Sequence, residues 1–432
     1  MMPGQYAMGV PSRAGGTRPS PRGILRPVRV PVLKAQLRAG APDFLDLPWG
    51  HPVAEWSTLS GRVLELERGV SRHEVLFVSY DQRIFAVKLT TAAAAAKEYA
   101  TLLQTEERGL PTVRAVGWLS AIGSAEEGAE PVGALITEFL DGSLPFRTMF
   151  RGNGLQRYQN RLLDAMAGLL VRLHLAGCYW GDCSLSNTLF LRDAGELAAY
   201  LVDAETSEVH PSLSEGQRRQ DLLILEENVA GELVDLQASG ASTRDLDPFR
   251  TGALICQRYE RLWREVTREE VLAPGDTWRV QERIRSLNAL GFTVSEVELV
   301  AEAEGPRLRL RTMVTDRNYH RHQLHGLTGL SVEEHQAQLM LNEIREMRAE
   351  MSRERNQSVP LSVAAYAWRG QRFAATTARL SPLIDDDADA AQIYCQVLEH
   401  KWFLSEQAAR DVGLVGAVED YLARFGPRTR KA

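Results

Sequence analysis

The four cysteines, Cys178, Cys183, Cys256 and Cys395, include no C-x-x-C pair and no metal-ligand spacing. They read as reduced thiols, as expected of a cytoplasmic protein. No apolar run approaches the roughly 20 residues that a membrane-spanning helix needs, so no membrane span is expected. A secretory signal is not expected either, because Gly23-Ile24-Leu25-Arg26-Pro27 is broken by charge where an apolar core would stand. Acidic residues are missing altogether from residues 1–40, which carry Arg13, Arg18, Arg22, Arg26, Arg29, Lys34 and Arg38. Removing those seven cations from the net charge of −6 leaves the rest of the chain at −13. So acidic a body is a poor match for wrapping nucleic acid. What remains is an ordinary composition, 44% hydrophobic and 25% charged over 432 residues, enough to bury the cores of two domains.

Residues 1–42 are rich in Pro, Gly and Arg, lack hydrophobic periodicity and read as a disordered basic tail. Order is expected from about Phe44. Strand patterns run over Arg62–Glu67, Glu74–Ser79 and Arg83–Leu89, the last two joined by a turn at Tyr80-Asp81-Gln82. A helix follows from about Ala92 to Arg108, capped by Thr90 or Thr91 and ended by Gly109 and Pro111, and strand pattern returns at Gly133–Phe139. Leu162, Leu163, Met166, Leu169, Leu170 and Leu173 form one helical stripe. Beyond about residue 275 come a helix over Thr277–Ala289 and two strands, Phe292–Val300 and Arg307–Val314. A long helix opened by a capping box at Ser331-Val332-Glu333-Glu334 and further helical sequence complete this part.

The chemistry-bearing residues lie between these patterns. Lys88 closes the strand Phe85-Ala86-Val87-Lys88, and Glu98 lies in the next helix. Asp182 and Asn187 stand five residues apart in Gly181-Asp182-Cys183-Ser184-Leu185-Ser186-Asn187, and Asp203 ends the strand Leu201-Val202-Asp203. In phosphoryl transfer of the kinase type a strand lysine neutralises nucleotide phosphates, and a helix glutamate holds that lysine. A loop Asp faces the acceptor hydroxyl, while an Asn and a second Asp hold magnesium. An oxygen-donor pair such as Asn187 and Asp203 suits Mg²⁺. Asp221 is placed to accept backbone N–H bonds from the loop.

These motifs resemble the protein-kinase-like superfamily, and within it the lipopolysaccharide core (Kdo/WaaP-type) sugar kinases and the aminoglycoside and choline phosphotransferases. The full chain, over about residues 43–425, also resembles a bacterial family of unknown function in which such a module precedes an uncharacterised C-terminal domain. Leu45-Asp46-Leu47-Pro48-Trp49, Val202-Asp203-Ala204-Glu205, Leu327-Thr328-Gly329-Leu330 and Glu399-His400-Lys401-Trp402-Phe403-Leu404-Ser405-Glu406 fit that family. The resemblance implies an α+β chain: a bilobal kinase-like domain over 43–272 (lobes 43–140 and 141–272), a smaller α+β domain over 273–426 and a tail over 427–432. It implies ATP and Mg²⁺ as cofactors, with Asp182 and Lys88 catalytic, Asn187 and Asp203 on the metal, and Lys88, Glu98, Glu138 and Leu140 on the nucleotide. Thr137-Glu138-Phe139-Leu140 would be the hinge.

Three positions depart from the pattern. Trp180 stands where His or Tyr is usual, so the loop must be anchored differently. Arg68-Gly69-Val70-Ser71-Arg72-His73 has one glycine where repeated glycines would let backbone N–H groups close over phosphates, and Arg68 and Arg72 are the candidate substitutes. Asp203-Ala204-Glu205 lacks the usual Phe-Gly, and no Ala-Pro-Glu follows, which disfavours a phosphorylation-switched loop and a peptide acceptor. The function expected is ATP- and Mg²⁺-dependent phosphorylation of a hydroxyl on a sugar or other small molecule. The alternatives are a nucleotide-binding pseudokinase or regulatory protein acting on a protein partner through its C-terminal domain, a protein kinase, and an interaction module without nucleotide.

Outside this set, His320, His322, His325 and His335 read as polar or anion-binding histidines in a loop rather than as zinc ligands, since no cysteine or carboxylate pattern accompanies them. Arg307, Arg309 and Arg311 alternate along one strand and so share a face, a candidate strip for an acidic acceptor or partner. Cys183 reads as a packed thiol. Charges on the long helix, such as Arg345 and Arg348 with Glu343 and Glu346, read as a salt-bridged surface.

Overall fold

The computed structural model describes residues 32–66, 73–122, 132–149, 156–194, 196–240, 246–268, 270–272, 277–290, 293–301, 308–316, 318–384, 387–408, 410 and 412–425. The architecture is the expected α+β mixture, in two units. One comprises Met1–Asn160, Gly177–Leu189 and Tyr200–Leu254; the other comprises Arg161–Ala176, Phe190–Ala199 and Ile255–Ala432.

The first unit is built on a six-stranded antiparallel sheet. Its strands are β1 (Val32–Leu37), β2 (Val63–Leu64), β3 (Val75–Tyr80), β4 (Arg83–Thr91), β5 (Ala115–Ile122) and β6 (Val132–Glu138), in the order β1-β5-β6-β4-β3-β2. β1 corrects the expectation that residues up to 42 form a tail: it closes the sheet edge, with Val32 opposite Ile122. β3 and β4 turn through Asp81 and Gln82, both at positive φ, the mirror-image turn whose twist matches a two-residue hairpin. Alternation then sorts the side chains. Leu76, Val78, Phe85 and Val87 enter a core with Phe44, Trp56 and Ile136, and Lys88, next along β4, points to the opposite face. The Ala92–Glu107 helix packs on β5 and β6. Thr91 caps it by accepting the Ala94 N–H, and Gly109 follows its end at positive φ. Helix Glu215–Ala238 completes this unit, opened by a reciprocal box between Ser214 and Gln217.

The second unit is mainly helical. Ala337, Met340, Leu341 and Ile344 of helix Glu334–Glu354 share a core with Leu324, Ala364, Ala365, Trp368 and Tyr394. A three-stranded sheet in it sets Leu308–Asp316 between Glu270–Leu272 and Thr293–Ala301. The long helix begins later than expected. Its cap is Glu333 with Gln336, not Ser331, because the buried Asp193 carboxylate takes the His335 and Gln336 N–H groups at 3.1 and 2.9 Å. The expected salt-bridged surface also differs. Glu343 turns inward to accept from Trp368 and Tyr394, and Glu350 pairs with Arg372. Among the described residues no helix is long and apolar enough to cross a membrane.

Candidate active site

Lys88, Glu98 and Asp203, 115 positions apart at the extremes, meet at one ammonium. Lys88 Nζ lies 2.9 Å from Glu98 Oε2, 2.9 Å from Asp203 Oδ2 and 3.2 Å from Glu205 Oε2. Glu98 is fully buried, and its other oxygen accepts the Ala204 N–H at 3.2 Å, which ties the helix to the strand end that carries Asp203. Burial, with the nearby Asp203 charge, pushes Glu98 up to about 7 against the opposing pull of Lys88. Burial opposes the charge on Lys88, but Glu98 and Asp203 outweigh it and its pKa is raised. Asp203 Oδ1 accepts the Glu205 N–H at 3.1 Å, which fixes the carboxylate's orientation.

The Asp182 loop is held from below by helix Glu215–Ala238. Asp221, buried, accepts the Trp180 and Gly181 N–H groups at 2.8 Å each, the supporting role expected of it. One turn pair further along, Asn228 Nδ2 donates to Asp182 Oδ1 and to the Cys183 carbonyl, both at 3.0 Å. Another turn on, Glu232 accepts from the Leu185 and Ser186 N–H groups at 2.9 and 2.8 Å. Spacings of seven and four put all three on one helical face. Asn187 Nδ2 donates to Asp182 Oδ2 at 3.0 Å and to the Asp182 carbonyl at 3.1 Å, so Oδ1 is the atom it can offer a cation. Gly181 has φ +78°, and a Cβ there would lie 3.0 Å from the Thr206 carbonyl oxygen, so any other residue before Asp182 would be strained. Trp180 anchors the loop at two points. Its ring fills the core, and its carbonyl accepts the Thr206 and Ser207 hydroxyls.

Glu138 ends β6, and its carboxylate pairs with Arg83 and Arg114. Any hinge role therefore falls to its backbone. Leu140 follows in a turn whose carbonyl accepts the Ser143 N–H at 3.2 Å. Cys183 is fully buried and burial raises its thiol well above the ordinary range, so it packs rather than reacts. His320, His322 and His325 lie on helix Tyr319–Thr328, not in a loop, and His320 is buried against Glu334 at 2.7 Å. His335 belongs to the next helix. Arg68, Arg72 and Arg307 lie outside the described residues. Of Arg309 and Arg311 only the backbone is described, opposite Val300 and Glu298.

Sequence reasoning passed over His73, Glu205, Asn228 and Glu232. The i, i+7, i+11 polar row on an otherwise apolar helix face was the available signal for Asn228 and Glu232. For Glu205 it was an acid in place of a small residue beside Asp203.

Residues 80–252 match the Lipopolysaccharide kinase (Kdo/WaaP) family, and residues 261–425 match a domain of unknown function, DUF4032. A search of the curated proteins finds no match. Solved structures similar to the chain include WaaP in complex with acyl carrier protein, at 19% identity and a TM-score of 0.35, over 59% of this chain and 98% of that one. Another is the aminoglycoside-3'-phosphotransferase of type VIII, at 18% identity and a TM-score of 0.32, over 48% of this chain and 90% of that one. Two consecutive segments of the chain are thus similar to known families, the first to the Lipopolysaccharide kinase (Kdo/WaaP) family and the second to DUF4032.

Proposed function

We propose that this chain is an ATP- and Mg²⁺-dependent phosphotransferase that phosphorylates a hydroxyl of a sugar or other small molecule, with a kinase-like domain that includes β1 and runs to about residue 272, followed by an accessory domain over 273–426. The observation that carries this reading is the Lys88 ammonium held at 2.9 Å by both Glu98 and Asp203. A lysine so fixed holds its charge at a defined point for a phosphate to meet. Asp182 is the acceptor-facing group: its carboxylate orients the hydroxyl and takes its proton as the new P–O bond forms, while the bond from the γ-phosphorus to the β–γ bridging oxygen breaks and ADP leaves. Asn187 Oδ1 and the Asp203 carboxylate make an all-oxygen donor set, which fits magnesium. When bound, that ion would neutralise charge on the transferring phosphoryl group. Glu138 and Leu140 would meet the adenine through the backbone.

Thermal unfolding with and without Mg·ATP tests the reading. At a hundred times the dissociation constant, binding adds about 2.7 kcal/mol of stability. Lys88→Ala should shrink the shift and Asp203→Ala should remove its dependence on magnesium. No shift in folded wild-type protein would sink the proposal. A shift without turnover across a panel of sugars and small alcohols would leave a nucleotide-binding pseudokinase instead.

A further inference from the structure

Glu205 makes three contacts that the phosphotransferase reading does not use. Its Oε2 receives Lys88 Nζ at 3.2 Å and His73 Nε2 at 2.9 Å. Its backbone carbonyl accepts from Lys97 Nζ at 3.1 Å. A carboxylate oxygen and a phosphate oxygen accept from the same nitrogen donors in the same geometry. We propose that Lys88 and His73 form a two-donor cradle for the nucleotide's phosphates, and that the Glu205 carboxylate occupies that cradle until nucleotide displaces it. The inference rests on the nucleotide-binding reading above and adds a residue, His73, and a competitor, Glu205.

Three observations converge on it. Three carboxylates around one ammonium leave an excess of negative charge, so an incoming phosphate is opposed until one of them withdraws. Glu205 is the one able to go: its side chain is 34% exposed, against 27% for Asp203 and 0% for Glu98. Lys88 keeps its two remaining partners, and the Lys97 bond to the backbone lets the side chain swing out while the chain stays in place. Finally, His73 closes the segment Arg68–His73, which carries a single glycine. Where repeated glycines would bring backbone N–H groups to a phosphate, this chain brings a side-chain donor.

Calorimetric titration with ATP and with inorganic tripolyphosphate, each in Mg²⁺ and in EDTA, tests this on the full chain. Glu205→Ala and the near-isosteric Glu205→Gln, each checked for fold by circular dichroism, should bind tripolyphosphate in EDTA about tenfold tighter than wild type, because a competing charge-assisted contact is gone. Adding His73→Ala to the Glu205→Gln background should reverse about tenfold of that gain. Equal affinity in wild type and both Glu205 variants would overturn the cradle while leaving nucleotide binding standing. So would a loss confined to Mg²⁺ conditions, which would make Glu205 a metal ligand, or an inert His73→Ala. Failure of wild type and of both Glu205 variants to bind either probe would overturn the nucleotide reading itself.

Discussion

Asp182 has both carboxylate oxygens engaged by amides, Oδ1 by Asn228 and Oδ2 by Asn187. Two such bonds fix the plane of the carboxylate. Asp182→Asn keeps the shape and removes the charge. Mg·ATP affinity should persist, while turnover on an identified acceptor falls by roughly two to four orders of magnitude; near-wild-type turnover would show that Asp182 is not the base. Asn228→Leu, which removes one of the two donors, should lower kcat with little change in nucleotide affinity. A rise in the Kd for Mg·ATP matching the fall in kcat would instead mean that Asn228 supports the loop as a whole. Asp182 and Asn187 were legible because they share one loop at a fixed spacing. Asn228 was not, because nothing local ties position 228 to position 182.

At the scale of elements, helix Glu215–Ala238 grips the Asp182 loop at three successive levels through Asp221, Asn228 and Glu232. Asp221→Ala should leave the Trp180 and Gly181 N–H groups buried without acceptors. The expected loss in chemical denaturation is at least about 2 kcal/mol, the scale for two orphaned donors. A midpoint and slope unchanged from wild type would mean that the loop finds other partners. Helices with strong stripes and clear caps matched their sequence patterns: Ala92–Glu107 starts on the Thr91 cap, and Thr277–Ala289 has the expected ends. β5 (Ala115–Ile122) had no reading in the sequence, since burial on both faces erases the alternation that marks a half-exposed strand. The capping box moved from Ser331 to Glu333 because Asp193, 142 residues away, supplies acceptors that no local pattern can reveal.

For the molecule as a whole, Asp193 predicts a pH dependence of stability. Burial first, then the nearby Glu333, raises its carboxyl to about 7, against the opposing pull of the His335 and Gln336 N–H bonds. The folded chain then holds a proton that the unfolded chain releases near 3.8. Stability from this group is present below about 4 and falls as pH rises towards 7, by on the order of a few kcal/mol. The difference in unfolding free energy between wild type and Asp193→Asn should therefore slope downward across that window. A flat difference would show that Asp193 stays ionised throughout.

Sequence by itself determined the chemistry on offer and the local frame for it. A strand lysine, a helix glutamate, a loop Asp and Asn five apart and a strand-end Asp are short-range facts, set by periodicity and spacing within single elements. Only the tertiary structure decided which of the many acids shares the Lys88 ammonium. That choice depends on bringing positions 88, 98, 203 and 205 to one point, and on burial that leaves Glu98 enclosed and Glu205 partly exposed. Electrostatic competition acts through distance and desolvation, and neither is written along the chain.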